Sequence, residues 1–506
     1  MKTAYRNHVS LLAISAAALL LAQPSLARAQ SVNINQLESE MNSLQAQINL
    51  LKAQQASLNA QQAQLQVQAR RQAEVTHQQA IIAHQQLVVS NEQLLASSKN
   101  QWYLAGTKPI PEFVTKDGRS TFTIGGQVEV DAGVGSVPGQ SGHSGGVIFR
   151  RIEFYIAGVY DDHFVYKVEN DWTKTSTPLG GLLDVYIGYQ HKFGGFNNVF
   201  LAGNQHTPFG FQTASDATLF MENEMGNALF QDNRQLGITG QTYDKHFNAW
   251  YGVTGTNNGT QSTAATSTTV INTGTTEYSS QYTASTVLAW NVINTPGHLL
   301  SLRNSVAYNR YNGNEGSLNE PTFSTNPDLN VYGNKFITTG ALPIQSDFVE
   351  SPRIDFEDNR LTLAAVYYDV TTKSDNPVSK TNHRALEPHF SSWDVEAQYF
   401  LTDDHEPFSN YHGYYDAVEV NDPVTAGGIG AIQLAARLDE ADLNAAKYGI
   451  YGGNQTNLTL GVNWWPTSYS RVNVNYVRMF PIGGGKSVTN RGKQANIIAM
   501  RLEYIY

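Results

Sequence analysis

Thr121-Phe122-Thr123-Ile124-Gly125-Gly126-Gln127-Val128-Glu129-Val130-Asp131 changes character at almost every step. Phe122, Ile124, Gly126, Val128 and Val130 share one parity, and Thr123, Gly125, Gln127, Glu129 and Asp131 share the other. Successive side chains of a strand point to opposite faces, so this strand has one apolar face and one polar, charged face. The pattern recurs along the chain. Ile152, Phe154 and Ile156 alternate with Arg151, Glu153 and Tyr155; Phe164, Tyr166 and Val168 alternate with Lys167, Glu169 and Asp171. Val185, Ile187 and Tyr189 alternate with Asp184, Tyr186 and Gln190; Leu300, Leu302 and Val306 with Ser301, Arg303 and Ser305; Ile432, Leu434 and Leu438 with Gln433, Arg437 and Asp439. About fifteen such segments of roughly ten residues are the dyad signature of a transmembrane β-barrel, whose strand number is even in bacterial single-chain barrels. A sixteenth strand is expected near Val331–Thr338.

A soluble β-sandwich also alternates. Three features favour the barrel. The segments are long enough to cross a bilayer with tilt. Aromatic pairs at strand ends, Trp102/Tyr103 and Trp464/Trp465, suit an interfacial girdle. The polar parity is charged, so the interior is expected to be wet. Short turns such as Asp161-Asp162 and Pro466-Thr467-Ser468 are expected on one rim. The long connections His206–Arg234, Thr254–Gln281, Tyr311–Arg360, Thr371–Phe390 and Asp403–Gly428 are expected on the other. Thr254–Gln281, nearly all Ser, Thr, Asn and Gly, reads as an external mobile loop.

The remainder of the 506-residue chain fits an exported protein. Lys2 and Arg6 precede an apolar run, Val9 to Ala22, and Ala27-Arg28-Ala29 follows it. That is a secretory signal peptide, 1–29, too short in its apolar part to span as a helix. From Ser31 to Asn100 there is no Gly, Pro or aromatic residue, while Gln occurs sixteen times. Ile34, Leu37, Met41, Leu44, Ile48, Leu51, Leu58 and Leu65 recur at steps of three and four, with Gln55 and Gln62 filling the register. Residues 30–100 therefore read as a coiled coil, the alternative being a Gln-rich linker. Residues 101–506 form the barrel.

Composition excludes several chemistries. With no Cys there is no disulfide framework or thiolate site, and a net charge of −10 argues against a nucleic-acid partner. The thirteen His show no metal-ligand spacing, and no Gly-x-Ser-x-Gly elbow or P-loop occurs, so neither an enzyme nor a cofactor is expected. The acidic stretch Asp403, Asp404, Glu406, Asp416, Glu419 and Asp422 reads as a solvated face rather than a cation site.

Several segments resemble a known family. Phe149-Arg150-Arg151-Ile152-Glu153, Tyr166-Lys167-Val168-Glu169, Asp184-Val185-Tyr186-Ile187-Gly188-Tyr189 and Gly203-Asn204-Gln205-His206-Thr207-Pro208-Phe209-Gly210 look like the phosphate-selective porin O/P family. So do Phe220-Met221-Glu222, Gln398-Tyr399-Phe400-Leu401-Thr402 and Asn463-Trp464-Trp465-Pro466, in matching order. The resemblance implies a sixteen-stranded, trimeric outer-membrane porin that passes small hydrophilic solutes, inorganic anions among them. It implies that the loop His206–Arg234 folds into the lumen, with His206, Phe209, Glu222 and Arg234 as constriction candidates. Arg150 and Arg151 match anion-attracting positions, and Glu153, Lys167, Glu169, Arg303 and Arg437 join them as candidate pore-lining residues. By strand parity Arg151 faces the lumen beside Lys167, whereas Arg150 does so only near the strand's end or through a bulge.

The family's closely spaced arginines have no counterpart here: Tyr243 to Leu302 carries Lys245 as its one Lys or Arg. A mixed wall of this kind is expected to discriminate weakly between ions. Tyr504 and Tyr506 end an outward-facing series that looks like the terminal signal read by the barrel assembly machinery. Two other readings of the whole chain are a tether or adhesin, with the coil as its working part and the barrel as anchor in outer-membrane lipid, and a soluble β-rich glycan-binding protein.

Overall fold

In a computed structural model, residues 34–95, 102–105, 111–136, 144–174, 181–210, 219–230, 234–255, 282–311, 321–326, 329, 335–374, 387–486 and 488–506 are described. The expected signal peptide and most of Thr254–Gln281 lie outside them. The chain divides into two units, Met1–Ser97 and Ser98–Tyr506.

The first unit carries one helix, α1 (Ile34–Leu95). At 1.5 Å per residue its 62 residues span about 93 Å. Without Gly or Pro it runs on through the positions beyond Leu65 where the heptad register slips. Met41, Leu44, Ile48, Leu51, Leu58 and Leu65 are all exposed in the single chain.

The second unit begins with two short strands, β1 (Trp102–Ala105) and β2 (Glu112–Thr115). Nine long ones follow: β3 (Thr121–Ser136), β4 (Ser144–Tyr160), β5 (Phe164–Asp171), β6 (Leu182–Phe193), β7 (Phe196–His206), β8 (Arg234–Tyr243), β9 (Phe247–Thr254), β10 (Tyr282–Thr295) and β11 (His298–Arg310). A short helix, α2 (Met225–Phe230), lies between β7 and β8. After the two-residue strands β12 (Ser324–Thr325) and β13 (Ile337–Thr338) come β14 (Ser346–Asp358), β15 (Leu361–Lys373), β16 (His389–Phe400), β17 (Ala431–Ala445), β18 (Ile450–Thr467), β19 (Ser470–Met479) and β20 (Ala495–Ile505).

β3–β11 and β14–β20 form a closed antiparallel barrel of sixteen strands. β20 returns to β3, from Asn496 opposite Ser136 to Ile505 opposite Gln127. Closure pairs the backbone groups of both terminal strands and removes the sheet's edges, which hydrocarbon could not satisfy. The sixteenth strand is not where it was expected. Ile337–Thr338 pairs only with Ser324–Thr325, and 330–334 lie outside the described residues. The apolar residues there pack inside the barrel, with Phe323, Leu329, Phe336, Ile337, Leu342 and Ile344 all buried.

Alternation is obeyed along the walls. Leu302 and Leu434 face out, exposed, while Ser301, Arg303, Gln433 and Arg437 face in, buried. Trp464 faces out but Trp465 faces in against Phe400, with ring centroids 5.7 Å apart, so that pair is only half a girdle. The inward face is not uniformly wet either. Near the long-loop rim it turns apolar: Val349, Val366, Tyr368, Val370, Phe390, Leu443, Val477, Met479 and Ile497 pack against the inserted Phe209, Met225, Phe230 and Phe336. Burying each large apolar side chain contributes roughly 1.5–3 kcal/mol, which seats the inserted loops.

One rim carries tight turns at 161–163, 194–195, 244–246, 296–297, 359–360 and 468–469. Asp161 and Asp162 take φ of 53° and 64°, the left-handed pair whose twist matches the flanking strands. The long connections leave the opposite rim, with two corrections. The expected connection Tyr311–Arg360 ends at Gln345, because Ser346–Asp358 is the wall strand β14, paired with β11 and β15. One other connection leaves from the tight-turn rim. Residues 401–430, between β16 and β17, lie on the tight-turn rim, because turns 359–360 and 468–469 stand one hairpin away on either side. Asp403–Gly428 is therefore not grouped with the other long loops.

Candidate functional site

Across β3 and β4 the pairing steps from Glu129–Arg151 to Val130–Phe149, leaving Arg150 as an extra residue. This bulge resets the parity of β4. Val147 and Phe149 face outward on one side of it, Glu153 and Arg151 face inward on the other, and Arg150 turns inward as well. The two arginines then take different tasks.

Arg150 grips the loop between β7 and β8. Its Nε and Nη2 donate to Oε1 and Oε2 of Glu222 at 2.8 and 2.9 Å. Arg501 donates to Glu222 Oε1 at 3.0 Å while holding Asp131 at 2.7 and 2.8 Å. Arg437 donates to the Glu222 carbonyl at 3.1 Å and lies over the Phe220 ring. Burial pushes the Glu222 carboxyl up, but Arg150 and Arg501 outweigh it and hold its pKa at about 2. Asn463 and Asn473 donate to the Leu219 carbonyl at 2.8 and 3.1 Å. The Met225 amide donates to Asp439 at 3.1 Å, and the Tyr368 hydroxyl to Glu224 at 2.7 Å. Residues 219–225 are thus pinned both to β4 and β20 and to β15, β17, β18 and β19, across the barrel interior.

Beside this crossing lies a cavity of about 440 Å³, lined by Arg151, Glu153, Lys167, Glu169, Asp184, Arg234 and His206. Its charges compensate one another. Arg151 Nε lies 3.5 Å from Glu129 and 3.9 Å from Glu153. Lys167 Nζ lies 2.9 Å from Asp184 and 3.2 Å from Glu169, and Arg234 reaches the same two carboxylates at 2.6 and 3.3 Å. Opposite charges at such separations cancel much of each other's field a few ångströms away. Tyr155, Tyr186 and Trp250 also line the strand side of the cavity, and Tyr411, His412, Tyr414 and Asp416 enter it from residues 401–430.

That segment spans the tight-turn mouth. Val420 donates to Ser468 at 2.9 Å, Arg360 pairs with Asp403 at 3.0 Å, and Asn294 donates to Asn410 at 2.6 Å. Gln241 and Asn248 donate to the Tyr411 carbonyl, and Arg303 to the Gly413 carbonyl. Of the acidic residues expected on a solvated face, Asp403, Glu419 and Asp422 are exposed, but Asp404 and Glu406 are buried here. Gln433 donates to Glu406 at 2.6 Å, and burial pushes that carboxyl well above the usual carboxylate range. Among the described residues no group of His, Asp and Glu has metal-holding geometry.

The proposed site residues thus separate. Arg151, Glu153, Lys167, Glu169, His206 and Arg234 meet at the cavity. Arg303 and Arg437 face inward but against packed segments: Arg303 pairs with Asp355 at 3.1 Å and Arg437 with Glu396 at 3.9 Å, both in nearly dry surroundings. Phe209 is in the apolar cluster, and Glu222 is the clasp. Tyr504 is exposed on the outer face; the Tyr506 amide and carbonyl bond with Gly126, and its hydroxyl donates to the Glu153 carbonyl. The alternation had marked Asp184 and Tyr186 as inward without naming them as site residues. Nothing local in the sequence brings Tyr411 and Tyr414 into a lumen.

The family model for phosphate-selective porin O and P matches residues 122–506. The chain belongs to that family. An uncharacterized protein of Caulobacter vibrioides is 26% identical over 183 residues, 35% of this chain and 34% of its own length. The chain thus matches about a third of that relative. Among solved structures, the outer-membrane channel DcaP of Acinetobacter baumannii aligns with a TM-score of 0.48 and 12% identity, covering 78% of this chain and 99% of its own. OmpT of Vibrio cholerae aligns at 0.47 and 13%, over 80% and 100%. An anion-selective porin from Comamonas acidovorans aligns at 0.43 and 13%, over 76% and 100%.

Proposed function

We propose that this member of the porin O and P family is an outer-membrane porin. It passes small hydrophilic solutes passively, inorganic anions such as phosphate among them, with weak charge discrimination. The observation that carries this reading is the cavity wall inside a closed barrel, where Arg151, Lys167 and Arg234 each lie within 4 Å of a carboxylate. The clasped segment 219–225 and the strap 401–430 bound the passage, so its width is set by packing and its selectivity by fixed, paired charge. Residues 1–29 serve as the export signal. Residues 30–100 form a parallel trimeric coiled coil in the periplasm, the barrel is trimeric as well, and Tyr504 and Tyr506 present the end of β20 to the assembly machinery. The tight-turn rim then faces the periplasm.

Purified trimer in a planar bilayer tests the reading: stepwise conductance in potassium chloride is expected. A correctly inserted, heat-modifiable barrel that passes no current would instead support the anchor-and-tether reading, which the apolar packing near the long-loop rim favours.

A further inference from the structure

Inward positions of a water-filled barrel are ordinarily polar, yet one side of this lumen gathers aromatic rings. Tyr155 on β4, Tyr186 on β6 and Trp250 on β9 line the cavity, and Tyr411 and Tyr414 enter it from residues 401–430. They stay outside the two apolar clusters of the interior. Tyr411 stands 5.6 Å, centroid to centroid, from Tyr243, and Tyr414 stacks on His412 at 5.1 Å. The Lys167 ammonium lies 5.3 Å over the Tyr155 ring, so the aromatic set and the charged row meet.

We propose that this cavity is a recognition site for a neutral carbohydrate, a pyranose unit held between the Tyr and Trp rings and the paired charges of Lys167, Glu169, Asp184 and Arg234. The proposal deepens the porin reading and rests on it. A pyranose offers C–H faces that pack on aromatic rings, and a rim of hydroxyls. Each hydroxyl both donates and accepts, as the alternating ammonium, guanidinium and carboxylate groups of this wall require. A row of charges already neutralised by partners bonds such hydroxyls without demanding a counter-ion. An inorganic anion fits less well: wherever it reaches Lys167 or Arg234 it also meets Asp184 and Glu169, at 2.6–3.3 Å from the same cations. The cavity, about 440 Å³, falls within the ~300–1,000 Å³ usual for small-ligand sites.

Planar-bilayer recording of the full chain in potassium chloride tests this, with maltohexaose and sodium phosphate as separate probes. Current before either addition reports the porin reading alone. Maltohexaose is expected to reduce the current saturably, and phosphate at equal ionic strength is not. Tyr186→Ala should raise the half-saturating sugar concentration roughly tenfold, in line with loss of one stacked ring, while Tyr186→Phe stays within about twofold of wild type. Trp250→Ala should raise it similarly, and it decides the matter if Tyr186→Ala fails to assemble. A conducting channel that maltohexaose does not block overturns the proposal while leaving the porin intact. So does saturable block by phosphate alone, or a sugar block indifferent to the alanine substitutions.

Discussion

Arg150 and Arg151 are neighbours in sequence with opposite consequences for the channel. Arg150, bonded twice to Glu222, is a clasp; the pair is partly buried, so removing one partner strands the other charge at a cost below the about 3–5 kcal/mol of a fully buried pair. Glu222→Ala is therefore expected to loosen residues 219–225, raising open-channel noise and mean conductance in single-channel traces and lowering the temperature at which the barrel loses its heat-resistant gel mobility. The same clasp predicts a pH response. The Glu222 pKa is lowered to about 2 in the folded state, so its stabilisation is complete above the ordinary carboxylate range and fades as pH falls through about 4.5 toward 2. Conductance noise should stay low at pH 5 and rise near pH 2–3 in wild type, whereas Glu222→Gln should show the raised noise already at pH 7. Arg151, by contrast, lines the cavity, and Arg151→Ala should shift the reversal potential toward cations while leaving assembly near wild type. An unchanged potential would reduce Arg151 to a wall-bracing partner of Glu129 and Glu153. Strand parity alone placed Arg151 in the lumen. For Arg150 it left two routes inward, the strand's end or a bulge; the bulge marks the sequence only as a change of phase, from Val147 and Phe149 to Ile152 and Phe154. Its partner Glu222 lies 72 positions away, a distance that local pattern does not bridge.

Strands were the most legible elements, since a wall between lipid and lumen imposes period two on every residue it contains. Ser301-Leu302-Arg303 and Gln433-Leu434 read correctly for that reason. Connections were less legible. Residues 401–430 look like any other polar loop, and only the strand count up to β16 places them on the tight-turn rim. Val331–Thr338 suggested a wall strand because a short run with apolar residues means the same to sequence whether it faces lipid or an inserted loop. The strap 401–430 makes the sharpest element-level prediction. Its bonds to Ser468, Arg360, Asn294 and Arg303 stretch it over the mouth. Replacing Ser409–Asp416 by a short Gly-Ser link should raise single-channel conductance; unchanged conductance would mean the strap lies clear of the ion path. At the other end of the chain, β20 closes against β3, so deleting Leu502–Tyr506 should sharply reduce heat-modifiable barrel in the outer membrane.

For the whole molecule, the helical unit and the barrel make separable claims. Deleting Gln30–Asn100 is expected to leave conductance close to intact, because the barrel closes on itself without those residues; lost conductance with normal barrel assembly would show that the coil enters or gates the pore. The barrel's claim concerns charge. From Gln101 onward 26 Lys and Arg face 39 Asp and Glu, yet at the cavity the two signs stand in near-equal numbers and in contact. Local pairing, more than overall charge, is therefore expected to set the selectivity. The most direct measurement is the zero-current potential of the wild-type channel across a tenfold potassium chloride gradient. A conducting channel whose potential stays far below the ~59 mV of ideal selectivity is the expected result. A potential approaching that limit on the anion side would contradict the compensated wall.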